Sequence, residues 1–94
     1  MVAAAKTGNE MVAMGKLFFS VGEYGKAADA FQKGLAKGGV TDGDDANMLT
    51  GMANARAGKS AEALAAFDAV KDAKLAEVAR LRRREVAGLE LPAA

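Results

Sequence analysis

Apolar residues recur at helical spacing along most of this chain, and glycines interrupt the recurrence. After "TGNE" (Thr7–Glu10), Met11, Met14, Phe18 and Val21 share one helical face, and Leu17 fills the same side. Residues three and four apart stack along a helix, so this spacing predicts a first helix over about 9–21, capped by Asn9. Gly22 interrupts it. A second helix is expected from about Tyr24 to Lys37, with Tyr24, Ala27, Ala28, Phe31 and Leu35 as its stripe. "KGGVTDGDD" is the next break. Gly38 suits a left-handed C-cap there, and Lys37 offsets the helix dipole. Asp42, Asp44 and Asp45 enrich the next start in negative charge, as the dipole favours. The third helix covers about 44–57 with Met48, Leu49, Met52 and Ala55 as apolar members. Gly58 breaks it. Ser60 is read as the cap of a fourth helix over about 60–71, carrying Ala63, Leu64, Phe67 and Val70. A fifth, over about 73–88, places Leu75, Val78, Leu81 and Val86 on one side and Arg80, Arg82, Arg83 and Arg84 on the other.

The pattern also repeats. "GEYGKAADAF" (Gly22–Phe31) aligns with "GKSAEALAAF" (Gly58–Phe67). Gly22 matches Gly58, Ala27 matches Ala63, Phe31 matches Phe67 and, upstream, Gly15 matches Gly51, all at an offset of 36 residues. Gly15 and Gly51 fall in mid-helix, where glycine costs about 1 kcal/mol relative to alanine. That cost implies a compensating close approach between paired helices, with Ala27 and Ala63 facing the glycines. Phe31 and Phe67 are expected to fill the space between successive units, and Tyr24 to pack at the turn within the first.

On these residues the chain resembles the tetratricopeptide repeat family, whose units carry a large residue, a glycine and an aromatic in one helix, then alanine and an aromatic in the next. Met11, Met14, Gly15, Phe18, Ala27 and Phe31 fit those places in the first unit, with Gly22 and Tyr24 at the turn. Gly51, Ala63 and Phe67 fit in the second, whereas Thr50 and Asn54 stand where the family prefers leucine and an aromatic. The fold expected is an all-α, TPR-like α-solenoid of about five helices. The first repeat lies at about 8–41 and the second at about 44–77, with the fifth helix, at about 73–88, as a third, incomplete unit or a capping helix.

Composition narrows the chemistry. The 94 residues suit one small domain, and with aromatics at only 5% the core must come from close helix approach. The chain has no cysteine, histidine or tryptophan. Disulfides, thiolate sites and the usual near-neutral general base are absent with them. "TDGDDAN" lacks the glycine and glutamate spacing of a calcium loop, and "GGVTDG" lacks the lysine and strand-helix setting of a P-loop. No cofactor, metal or catalytic site is expected. Formal net charge is +1, so no overall field draws the chain to nucleic acid or anionic lipid. The run "ARLRRRE" (Ala79–Glu85) reads as the solvated exterior of a terminal cap. Contact with nucleic acid or membrane, and docking onto an acidic protein surface, stand as its alternatives. No stretch has the apolar length of a signal peptide or a membrane span, which places the chain in the cytoplasm by default.

The resemblance implies a non-catalytic module that binds a protein or peptide along the first helix of each unit. Counting from the glycines, the groove places are Asn9, Val12, Lys16, Phe19 and Ser20, then Asp45, Met48, Met52, Ala55 and Arg56. Lys16 and Arg56 would be cationic posts beside an apolar floor. Val12 and Met48 stand where the chaperone-adaptor branch of the family would place polar clamp residues, so a carboxylate clamp is not expected. About three units are normally needed for stability. "VAAAK" (Val2–Lys6) reads like the tail of a preceding helix, which predicts either a segment of a longer repeat protein or a homodimer.

Overall fold

The computed structural model describes residues 7–90, with side chains described over 7–86. "VAAAK" and the tail around Pro92 lie outside the described residues. Five α-helices follow one another: α1 (Gly8–Ser20), α2 (Tyr24–Lys37), α3 (Gly43–Arg56), α4 (Ser60–Asp68) and α5 (Ala73–Glu90). Each packs on the next in the chain, and α3 also meets α5. The result is elongated, 49 × 27 × 18 Å.

The two internal turns are the same device. After α1, the Gly22 N–H donates to Phe19 O at 3.1 Å and the Glu23 N–H to Phe18 O at 2.9 Å. After α3, Gly58 donates to Ala55 O at 3.2 Å and Lys59 to Asn54 O at 2.8 Å. This is the Schellman pattern, which needs a residue of positive φ in the place held by each glycine. Gly22 and Gly58 supply it with φ of 82° and 81°.

The paired helices then meet at glycine. A Cβ built on Gly15 would lie 2.6 Å from Phe31 Cδ1 and Cε1, and one on Gly51 would lie 2.5 Å from Phe67 Cε1. Phe31 and Phe67 therefore fill the gap inside each helix pair, rather than only the space between units as the sequence implied. Phe31 also joins Ala46 and Ala53 of α3 in one core cluster, and Phe67 joins Ala79 and Val86 of α5 in a second. Ala79 and Val86 follow Ala46 and Ala53 by 33 residues each. Helix α5 thus occupies, against α4, the place that α3 occupies against α2.

The predicted stripe of α1 is displaced. Gly8, Val12 and Gly15 are its buried residues. Leu17 and Val21, expected on the packing face, are 69% and 70% exposed. The closest helix approach runs through the smallest residues: a Cβ on Gly8 would meet Gly34 O at 2.6 Å and Gly38 O at 2.5 Å. Hydrophobic spacing gives glycine no weight and so points the face about one residue off. On α5, Val86 is buried as expected, but Val78 and Leu81 are exposed and Ala79 is buried in their place.

The caps differ from expectation for local reasons. Thr7, not Asn9, caps α1, its hydroxyl accepting from the Glu10 N–H at 3.1 Å. Ser60 is the first residue of α4, and the N-cap position is Lys59, with no side-chain cap bond. Gly38 has positive φ but an extended ψ of 175°, so it leaves the helix without entering the left-handed helical region. Helix α4 ends at Asp68, three residues early. Ala69 and Val70 close with i→i−3 bonds to Ala66 O and Phe67 O. The next two N–H groups, Lys71 and Asp72, donate to the Asp44 carboxylate at 2.9 and 2.8 Å. Asp72 then caps α5 by accepting from Lys74 and Leu75.

Candidate functional site

Side chains of α1, α3 and α5 converge along one strip of the molecule. At one end, Lys16 Nζ of α1 lies 3.7 Å from Asp45 Oδ2 of α3, both about half exposed. Further along, the Arg56 guanidinium at the end of α3 lies 5.3 Å from the centre of the Phe19 ring and 5.4 Å from that of Tyr24. The two rings meet edge to face at 5.2 Å. Arg56 Nη1 also donates to Tyr24 Oη at 3.2 Å. A cation over aromatic faces at an exposed site contributes about 0.5–1 kcal/mol, and here it ties α3 to the turn between α1 and α2.

Beyond Arg56 the strip opens into a shallow groove between α3 and α5, of about 200 Å³. Met52, Ala55, Phe67 and Val86 supply its apolar lining, and Arg56, Arg82 and Glu85 its charges. Arg82 Nη1 lies 3.4 Å from Glu85 Oε2. Two exposed partners at that distance stabilise each other by about 0–1 kcal/mol, so both remain available for exchange with an incoming group. The neighbouring Arg83 turns away, its Nε 3.0 Å from Asp68 Oδ1 of α4.

The ten groove positions read from the sequence separate into three sets. Lys16, Phe19, Asp45, Met52, Ala55 and Arg56 lie along the strip. Val12 and Met48 do not: they are 7% and 8% exposed and belong to the two core clusters. The polar neighbours Asn9 and Ser20 are turned to structural bonds. The Asn9 amide donates to Thr41 Oγ1 and accepts from the Thr41 N–H, both at 3.0 Å. The Ser20 hydroxyl donates back to Leu17 O at 2.8 Å. Asn9 and Asp44 are each the second residue of their helix, and each fastens the loop that follows the helix pair. The posts also change character, because Lys16 faces a carboxylate and Arg56 is stacked on two rings.

Sequence reasoning missed Tyr24, Arg82, Glu85 and Val86 as members of this strip. The sequence places Tyr24 in the α2 stripe and at the turn, and α5 as a third, incomplete unit or a cap. The available signal was the recurrence of Ala46 and Ala53 as Ala79 and Val86, which puts α5 in the register of α3. Among the described residues no cluster of histidine, cysteine or carboxylate side chains is arranged to hold a metal ion. No described helix is long and apolar enough to cross a membrane. In comparisons with known proteins, no family model, curated protein or solved structure matches this chain.

Proposed function

We propose that the chain is a TPR-like helical array that binds a protein or peptide partner along the α1–α3–α5 strip, as a non-catalytic scaffold or adaptor. One observation carries the reading: the groove between α3 and α5 leaves Met52 and Ala55 side by side at an opening, above the buried Phe67, with Arg56, Arg82 and Glu85 as its charges. A partly apolar concavity with a few polar groups able to fix orientation is the usual form of a recognition site. Met52 would make its floor adaptable to different apolar anchors. The duplicated glycine turns and glycine–phenylalanine contacts support the family resemblance, in which the first helix of each unit faces the ligand. An occupant with one apolar anchor and one charged group at either side fits the opposite charges of Arg82 and Glu85.

Affinity capture with three baits tests the assignment: the unaltered chain, Ala55→Arg to fill the groove, and Ala65→Arg on the exposed side of α4. Circular dichroism of each bait establishes that it folds. Proteins bound by the unaltered chain and by Ala65→Arg, but not by Ala55→Arg, are the expected result. Equal capture by all three baits, or none by any, refutes groove binding.

A further inference from the structure

The outer face of α5 carries a second surface, made of different residues from the groove. Val78 is 41% exposed and Leu81 is 59% exposed. With Glu77, Arg80 and Arg84 they line an open hollow of about 370 Å³. Two large apolar side chains adjacent on one helix face and left in water are what a helix partner would cover. Glu77 and Arg84 flank them at a separation of seven residues, hence on the same side of the helix and two turns apart. Neither is in an ion pair among the described residues.

This order of charges is complementary to itself when reversed. If a second α5 lies antiparallel about a two-fold axis, Val78 meets Leu81 of the second copy, and Leu81 meets its Val78. On the same side, Glu77 then meets Arg84 of the second copy, and Arg84 meets its Glu77. Two-fold contacts use one patch twice, so both ion pairs form together. The spacing of Glu77, Val78, Leu81 and Arg84 is that of flanking and core positions in a paired-helix seam. We infer that α5 mediates weak antiparallel association with a second copy of this chain through Val78 and Leu81, with Glu77 and Arg84 setting the direction. A glutamate beside the apolar pair disfavours an anionic membrane as occupant, and the pairing of acid with base explains its presence. The apolar part of the surface is only two side chains, so the association is weak, and the test spans roughly 10–1,000 µM. Glu85 follows Leu81 by four residues and Val78 by seven, so the seam borders the groove.

Sedimentation velocity on the full chain over that concentration range provides the test, with circular dichroism to establish folding. The unaltered chain is expected to pass from monomer to dimer. Leu81→Lys, at a position already in water, should keep its helix signal and remain monomeric. Glu77→Arg and Arg84→Glu should each associate at least tenfold more weakly, because each places like charges opposite one another twice. Mixing these two variants should restore association, since one then supplies two cations and the other two carboxylates. An unaltered chain that stays monomeric throughout overturns the inference. So does a mixture no stronger than its components. Binding of phosphatidylserine vesicles that is lost in Leu81→Lys, without any dimer, would reassign the face to lipid.

Discussion

The sharpest consequence of the packing concerns Gly51. On helix propensity alone Gly51→Ala should stabilise, since alanine in a helix interior is favoured over glycine by about 1 kcal/mol. The tertiary contact opposes this. The new Cβ would stand 2.5, 2.6 and 2.8 Å from Cε1, Cδ1 and Cζ of Phe67. Carbon atoms in contact prefer about 3.5–4.0 Å, so the ring must retreat by about 1 Å. Phe67 is 3% exposed and lies in the cluster with Met48, Ala63 and Val70, which leaves it little room. Overpacking of this kind typically costs about 1–3 kcal/mol and the propensity gain offsets about 1 kcal/mol of it, so Gly51→Ala should destabilise by up to about 2 kcal/mol. In a chain of this length, 1 kcal/mol corresponds to about 4–8 °C in Tm. Urea unfolding followed by helix circular dichroism reads the change directly. The cause is isolated by Phe67→Leu, which shortens the side chain that the new methyl meets. That change should cost less in the Gly51→Ala background than alone, giving a coupling of about 1 kcal/mol or more. A Gly51→Ala variant that is more stable than the parent, or a coupling near zero, would show that the glycine does not mark a close approach.

Further outcomes follow from the same contacts. Gly25→Ala is the opposite case: no atom lies within 4 Å of its Cβ site, so it should raise stability by about 0.5–1 kcal/mol in the same assay. Asn54 is 2% exposed and its Nδ2 has no hydrogen-bond partner, so Asn54→Leu, of similar shape, should stabilise by about 1–3 kcal/mol in thermal unfolding. Asp44→Ala removes an acceptor for two backbone N–H groups and should destabilise by about 1–3 kcal/mol, with faster amide exchange at Lys71 and Asp72.

How legible the molecule is depends on which residue carries the information. Turn glycines are explicit, because positive φ is a local demand that few other residues meet. The groove is only partly legible. Met52 and Arg56 were identified by counting from Gly51, yet the same count selected Val12 and Met48, which are buried. Exposure on a helix flanked by others depends on where its neighbours cross, and counting along one helix does not contain that. Asn9 shows a related limit. It sits near a helix start and invites the role of a cap, but T-x-x-E at Thr7–Glu10 performs it, leaving Asn9 to hold Thr41.

The sequence by itself determined the helices, their order and the two glycine turns, because these rest on interactions among residues a few places apart. Apolar spacing, Gly22, Gly58 and the 36-residue offset carry that information. The buried faces of α2 and α4 are those that the apolar spacing predicts, whereas only the tertiary structure decided which face of α1 and of α5 is inside. The centre of a close helix contact is held by Gly8, Gly15 and Gly34, residues that no hydrophobic count rewards. It also turned α5 from a cap into a wall of the groove, and left Val78 and Leu81 on its outer side. Those outcomes depend on residues brought together from distant parts of the chain, where distance in space and not spacing in sequence sets the interaction.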